Sequence, residues 1–478
     1  MLGHRDRSQG TLFIPGSLDQ LVPDDHILKR VDRVLDLSWL RGEVRDCYDE
    51  ANGRPSIDPE SAVRLMLAGF FHGFVHDRKL MREAEVNLAI RWFAGFELLD
   101  QLPDHSTLTR IRQRWGTDRF RRIFEKTVES CVKAGLVDGE TIHADATLIR
   151  ADVSWKSLTT KHVEEVLEAN RPEEDPPPAG KKRGRPRKHP KYPKKRSTTD
   201  PDCTMATQNK KERLQPSYKQ HMAVDDRSGV IVDVEVTTGE VHEGTRLLDV
   251  IDRVEAVTGK KVERVTADKA YARPRNYAGC EVRGIEAVIP PVRVGRPRIR
   301  MPARRFKYDE RNDLLRCPMG KKLGRCYRSK SGWIYHARVK DCRPCIHRDG
   351  CLSTGQKART VLVVDDYGAL LRARRRWVIH DVELRDLYER HQWRSEGKHG
   401  EAKTQHGLRR AVRRGLPNVS IQSFLTAAAM NLKALAGLLS WLLTHLWRSQ
   451  NAAVASCPST KRDFNRNPGI REYLDRAA

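Results

Sequence analysis

The sequence predicts an α/β protein with a mixed sheet. An all-α N-terminal domain precedes the sheet, and a small cysteine-containing insertion interrupts it. Three observations carry this. From Asp138 to Ile289, short runs of β-formers alternate with stretches of helical period, in the order β-ββ-α-β-α-β. Residues 20 to 136 show helical spacing and helix caps. Five of the ten cysteines fall between Cys317 and Cys351.

A chain of 478 residues can bury a large core and hold two or three domains. The 89 Lys and Arg against 63 Asp and Glu give a net charge of +26, which favours a polyanionic partner, nucleic acid first. Membrane association is not expected. Met1 to Asp6 is polar, unlike a signal peptide. The apolar stretch Phe424 to Leu446 contains Asn431, Lys433, Ser440 and His445, which suits a core helix better than a span. The cysteine usage does not suit a secreted disulfide scaffold, so the expected location is a reducing cytoplasm.

The helical domain is placed at 1–136. Ile27, Leu28, Val31, Val34 and Leu35 share a helix face. Asp58-Pro59-Glu60 reads as N-cap, first-turn proline and first-turn acid, opening a helix to about Phe74. Another helix is expected from Lys79 to Phe96. Pro103-Asp104-His105-Ser106 is a second cap, for a helix carrying Arg110, Arg112 and Arg114. A last helix, Asp118 to Ala134, stops at Gly135. The three arginines suit a helix entering a DNA groove; a solvated basic face is the plainer reading.

Residues 137–291 open the sheet. Thr141-Ile142-His143-Ala144-Asp145 is read as a strand ending in an aspartate. A basic loop at 160–215, expected to be disordered, then interrupts the core. Within it, ten of the sixteen residues from Lys181 to Arg196 are Lys or Arg. Arg183-Gly184-Arg185-Pro186, with Arg187, resembles an AT-hook core; nonspecific phosphate binding is the alternative. Tyr218 to Val224 and Val230 to Thr237 flank a turn rich in Asp and Gly, as a hairpin does. A helix over Gly244 to Val257 follows, then a β-rich run, Val262 to Ala267, ending at Asp268. Asn276 to Gly284 suits a helix and Ile285 to Ile289 a last strand.

Residues 292–380 form the insertion. Cys317, Cys342, Cys345 and Cys351 suit a structural zinc site, and buried thiols are the alternative. Cys326, His336 or His347 can substitute as ligands. Residues 381–448 return to the core as helices, and 449–478 read as a flexible tail. Glu396, Gly400 and Lys403 sit at i, i+4 and i+7, on one helix face. Two strand-end aspartates with Glu396 make a cage for two hard cations, Mg²⁺ or Mn²⁺. Lys403 can contact a phosphate. Glu401 is a rival to Glu396, whose own plainer reading is a solvated face. Arg409 and Arg410, with Arg413 and Arg414, form another phosphate-facing cluster.

Asp145 in His-Ala-Asp-Ala-Thr, Asp268 in Ala-Asp-Lys-Ala-Tyr, and the Glu396-to-Lys403 spacing resemble the DDE signature of bacterial insertion-sequence transposases. Tyr388 and Arg390 or Arg394 match the family's Tyr and Arg only loosely. The resemblance covers roughly residues 20 to 446. It implies a ribonuclease-H-like catalytic core with Asp145, Asp268 and Glu396 as the acid trio. It also implies an N-terminal region that recognises transposon inverted repeats, strand transfer into target DNA, and a homodimer on DNA. Two other readings stand beside it: a nuclease with the same acids but no strand transfer, and a non-catalytic DNA-binding regulator.

Overall fold

The computed structural model describes residues 16–49, 56–159, 196–207, 213–292, 301–378 and 382–454. Arg183, Arg185 and Arg187 lie outside them.

The N-terminal region is all helix, as expected. Three short helices precede α1 (Pro59–Phe71), whose N-cap Asp58 accepts a hydrogen bond from Glu60 N–H. One helix was expected from Lys79 to Phe96; two are found, α2 (Asp77–Val86) and α3 (Leu88–Ala94). The break is Asn87, whose side chain accepts from Ile90 N–H at 3.1 Å and so starts α3. Asp104 caps α4 (His105–Lys133), which Gly116 interrupts with φ 71° and ψ 178°. The two expected helices therefore meet end to end at a residue free to adopt that conformation.

The central sheet has five principal strands: β1 (Thr141–Arg150), β2 (Gln215–Asp225), β3 (Ile231–Thr238), β4 (Arg264–Ala267) and β5 (Glu286–Val288). Their order is β3-β2-β1-β4-β5. The first three are antiparallel neighbours, while β4 and β5 run parallel to β1. This is the ribonuclease-H-like arrangement. Helices α5 (Leu247–Thr258) and α6 (Pro274–Arg283) connect β3 to β4 and β4 to β5. Leu247, Val250, Ile251 and Val254 form the buried stripe of α5.

The insertion is a separate antiparallel meander of β6 (Lys307–Asp309), β7 (Leu314–Arg316), β8 (Lys322–Ser329), β9 (Gly332–Ala337) and β10 (Thr360–Val364). Phe306, Leu315, Leu323, Tyr335 and Val363 make its own core. Helix α7 (Tyr367–Val378) returns the chain to the central unit, where Arg372 pairs with Glu281 of α6 at 2.6 Å.

Helices α8 (Val382–Thr404) and α9 (Leu416–Val454) complete the chain. Helix α9 is long and apolar enough to cross a membrane by composition. Its Val419, Leu425, Ala428 and Leu432 are nevertheless buried in the core, and Phe424 stacks on Phe124 of α4. Asn431, polar inside this helix, both accepts from Ile231 N–H (2.9 Å) and donates to its carbonyl (2.8 Å). The compact unit ends at Leu435, and Ala436–Ala478 forms a second unit. Within it the helix continues to Val454, past the expected start of a flexible tail at 449.

One expected DNA contact is corrected here. Arg112 is 4% exposed and grips Asp77 of α2 through both terminal nitrogens, at 2.8 and 2.9 Å. Arg413 also reaches Asp77. Arg112 therefore ties α4 to α2 and is not presented to solvent, whereas Arg110 and Arg114 are exposed. Arg112→Ala strands a buried carboxylate and should cost about 3–5 kcal/mol in chemical denaturation. Arg110→Ala should change stability by less than about 0.5 kcal/mol. Equal effects would refute the structural role.

Candidate active site

Asp145 lies in the middle of β1, not at its end. The strand continues to Arg150, paired with β2 as far as Ser217. Because side chains alternate across a strand, a carboxylate can leave one face without ending the ladder. The parallel ladder with β4 stops at Ala144 opposite Ala267, so the next residues on the two strands are Asp145 and Asp268. Asp268 does stand at a strand end, where it accepts from Ala270 N–H at 2.8 Å and caps the turn Lys269–Tyr271.

Helix α8 packs across β1 and β4. A buried hydrogen-bond chain sets its position. His391 Nδ1 lies 3.0 Å from Thr266 Oγ1, which lies 2.6 Å from His143 Nδ1; His143 Nε2 lies 3.0 Å from Asp226. One assignment satisfies every group. His391 donates to Thr266, Thr266 to His143, and His143 to Asp226. Burial, with the nearby His143, pushes His391 down to about 3, so its ring is neutral.

Further along α8, Glu396 is exposed and its charge acts on Asp145. Lys403 donates to Thr147 Oγ1 of β1 at 2.6 Å. Burial lowers the Lys403 pKa, and Arg409 and Arg150 add to that. Glu401 is engaged elsewhere. Its carboxylate pairs with Lys433 at 2.9 Å and Lys398 at 3.4 Å, and the His406 contact leads the causes that hold its pKa down. Gly400 is open around its Cα, so packing does not demand glycine there.

The structure brings in residues that the sequence did not reveal. Glu243, in the turn Glu243–Thr245, acts electrostatically on both Asp145 and Asp268. It pairs with Lys219 of β2 at 2.6 Å. Buried Asn276 fastens that turn to the Asp268 turn, donating to Gly244 O and Tyr271 O, each at 2.9 Å. A Cβ on Gly244 would come within 2.5 Å of Ala270 O, so this junction needs glycine. His399 of α8 lies 3.6 Å from Asp145 Oδ2. Burial, then the charge of Lys403, pushes it down to about 3. The signals in the sequence were His242-Glu243-Gly244 after a hairpin and a histidine one turn beyond Glu396. Neither stands out until the fold juxtaposes them.

After α8 the chain passes beside the far end of β1, where Arg150 N–H donates to Arg409 O and Ala411 N–H to Arg150 O. Arg409 thereby joins Arg150, Arg213 and Lys403 along a cleft of about 380 Å³. Arg410 pairs with Asp152 at 2.7 Å. With Arg413 on Asp77, the expected four-arginine cluster is divided. In the insertion, Cys317, Cys342, Cys345 and Cys351 line one narrow pocket with His347, while Cys326 and His336 are exposed. Among the described residues, however, no three His, Cys, Asp or Glu side chains are gathered closely enough to hold a metal ion. The expected zinc site is thus not formed in this arrangement.

The acidic site is strained electrostatically. Burial pushes Asp145 up to about 7 against a hydrogen bond from Ala146 N–H, and the charges of Asp268, Glu243 and Glu396 push the same way. Burial also raises Asp268, with Glu243 contributing. Because Asp145 titrates near 7 folded and 3.8 as an ordinary aspartate, the folded state holds the extra proton. Stability contributed below about pH 4 is therefore lost as pH rises through 7. In EDTA, Asp145→Asn should stabilise the protein at pH 8 by about 2–4 kcal/mol and much less at pH 4.5. An equal effect at both pH values would mean that Asp145 is neither desolvated nor crowded.

A family profile for a transposase domain (DUF772) matches residues 16–114, and one for a transposase DDE domain matches residues 316–436. No curated protein matches the chain. Among solved structures, it is similar to the piggyBac transposase synaptic complex with hairpin DNA at 10% identity and a TM-score of 0.30, covering 93% of this chain and 88% of that one. The Mos1 transposase paired-end complex with the left transposon end gives 11% identity and a TM-score of 0.15, covering 50% and 61%. The Mos1 mariner paired-end complex with Mn gives 12% and 0.15, covering 52% and 64%. At such scores the structural likeness carries no functional weight, and the assignment rests on the two profiles. The second profile spans Glu396 and Lys403. A transposase domain followed by a transposase DDE domain places this chain among the DDE transposases.

Proposed function

We propose that this chain is the transposase of an insertion sequence. It cuts phosphodiester bonds at transposon inverted repeats and joins the freed 3′ ends to target DNA. One observation carries the chemistry: Asp145 and Asp268 follow side by side on neighbouring strands, with α8 bringing the charge of Glu396 onto the same carboxylate.

Oxygen donors of this kind suit hard divalent cations, and the mutual repulsion around Asp145 is what bound positive charge would relieve. Asp145, Asp268 and Glu396 would hold Mg²⁺ or Mn²⁺, which supplies activation of the attacking oxygen and stabilisation of the leaving one. The remaining tasks belong to the chain itself. Lys403 can release Thr147 to bind a phosphate oxygen. Arg150, Arg213 and Arg409 extend that contact along the backbone of a DNA strand. The net charge of +26 supports affinity through counterion release. Exposed Arg110 and Arg114, and Arg183, Arg185 and Arg187 of the basic loop, are further DNA contacts in this reading. Joining two ends requires two active sites, hence a homodimer on DNA.

A nuclease reading uses the same acids without joining, and a regulator needs no crowded carboxylates at all. Asp268→Asn should lower metal-dependent cleavage of end-bearing duplex by at least about a hundredfold while DNA affinity holds or rises slightly, since a negative charge near the phosphates is removed. Cleavage surviving in this variant would refute the metal-site reading. Wild-type cleavage without any strand-transfer product would favour the nuclease, and wild-type binding without cleavage the regulator.

A further inference from the structure

His399 stands one helical turn from Glu396 on α8, so the two side chains share a face. It is 7% exposed, and its Nε2 is 3.6 Å from Asp145 Oδ2. Neither ring nitrogen has a hydrogen-bond partner. A neutral imidazole carries one N–H and one lone pair, and leaving either unmatched in the interior costs about 1–3 kcal/mol. His391, two turns earlier and equally buried, shows the usual solution, since its Nδ1 is bonded to Thr266. His399 is held instead with a nitrogen facing the acidic site. The position is well supported: Asp145 is fixed within a continuous ladder, and α8 is fixed by the chain through Thr266. Lys403, one turn further on, is occupied by Thr147 and leaves the space beside Asp145 to His399.

We propose that His399 is a nitrogen donor to the divalent cation of this site, making its ligand set three carboxylates and one imidazole. The proposal rests on the metal-dependent reading above and adds a preference to it. Imidazole binds Mn²⁺ and later transition ions better than Mg²⁺ or Ca²⁺, so the site should discriminate among ions that carboxylates alone treat more evenly. His399→Gln should weaken Mn²⁺ binding by at least about tenfold and Mg²⁺ binding by clearly less.

The test is pulsed electron paramagnetic resonance of Mn²⁺ bound to the full chain without DNA. Wild type should show nitrogen modulation from a coordinated imidazole. His399→Gln should bind Mn²⁺ without that modulation, and Asp268→Asn should bind far less Mn²⁺. The wild-type spectrum needs no variant to fold: bound Mn²⁺ with no nitrogen coupling overturns the proposal. Coupling that survives in folded His399→Gln overturns it as well, by assigning the nitrogen elsewhere. No Mn²⁺ binding in wild type overturns both this proposal and the metal-dependent reading. Nitrogen-coupled Mn²⁺ in a protein that does not cleave DNA leaves the ligand standing and sinks only the catalytic reading.

Discussion

The hydrogen-bond chain from His391 through Thr266 and His143 to Asp226 fixes where α8 lies on the sheet. It crosses three elements, α8, β4 and β1, and ends at the turn between β2 and β3. Each member has one partner on either side, so the helix cannot slide without leaving a buried nitrogen unpaired. Everything chemical on α8 follows from that register. Glu396, His399 and Lys403 lie five, eight and twelve residues beyond His391 and come to rest along β1, from Asp145 to Thr147.

Against this frame the site is built at a cost. Four carboxylates, Asp145, Asp268, Glu243 and Glu396, act on one another where burial already disfavours charge. The protein contains this by anchoring rather than by neutralising. Asn276 joins the Glu243 turn to the Asp268 turn, and Gly244 allows the two backbones to touch. Lys219 answers Glu243 alone. By contrast Glu401, on the same helix, is surrounded by Lys433, Lys398 and His406, which is how a purely structural carboxylate is treated. That contrast identifies Glu396 as the helix's contribution to the site.

Much of the fold could be read from local chemistry. Asp58 and Asp104 cap the helices they were expected to cap, and alternation located β2, β3 and β4. Where reading failed, the deciding contact was distant or ambiguous. Asp145 looked like a strand end because a lone acid gives no sign that the ladder continues beyond it. Arg112 looked like a DNA contact because its partner, Asp77, lies 35 residues away. The helix expected over Lys79 to Phe96 failed locally: Asn87 can cap as well as continue a helix, and it caps. Glu243 and His399 gained meaning only when β-strand pairing and the Thr266 chain placed them beside Asp145.

The central claim is that this carboxylate cluster is a divalent-cation site. Anomalous diffraction from crystals of the full chain soaked in Mn²⁺ tests it most directly. The account predicts a manganese peak within bonding distance of Asp145, with Asp268 and Glu396 drawn in around it. A well-occupied peak at Glu401 or another surface acid, with none beside Asp145, would contradict it.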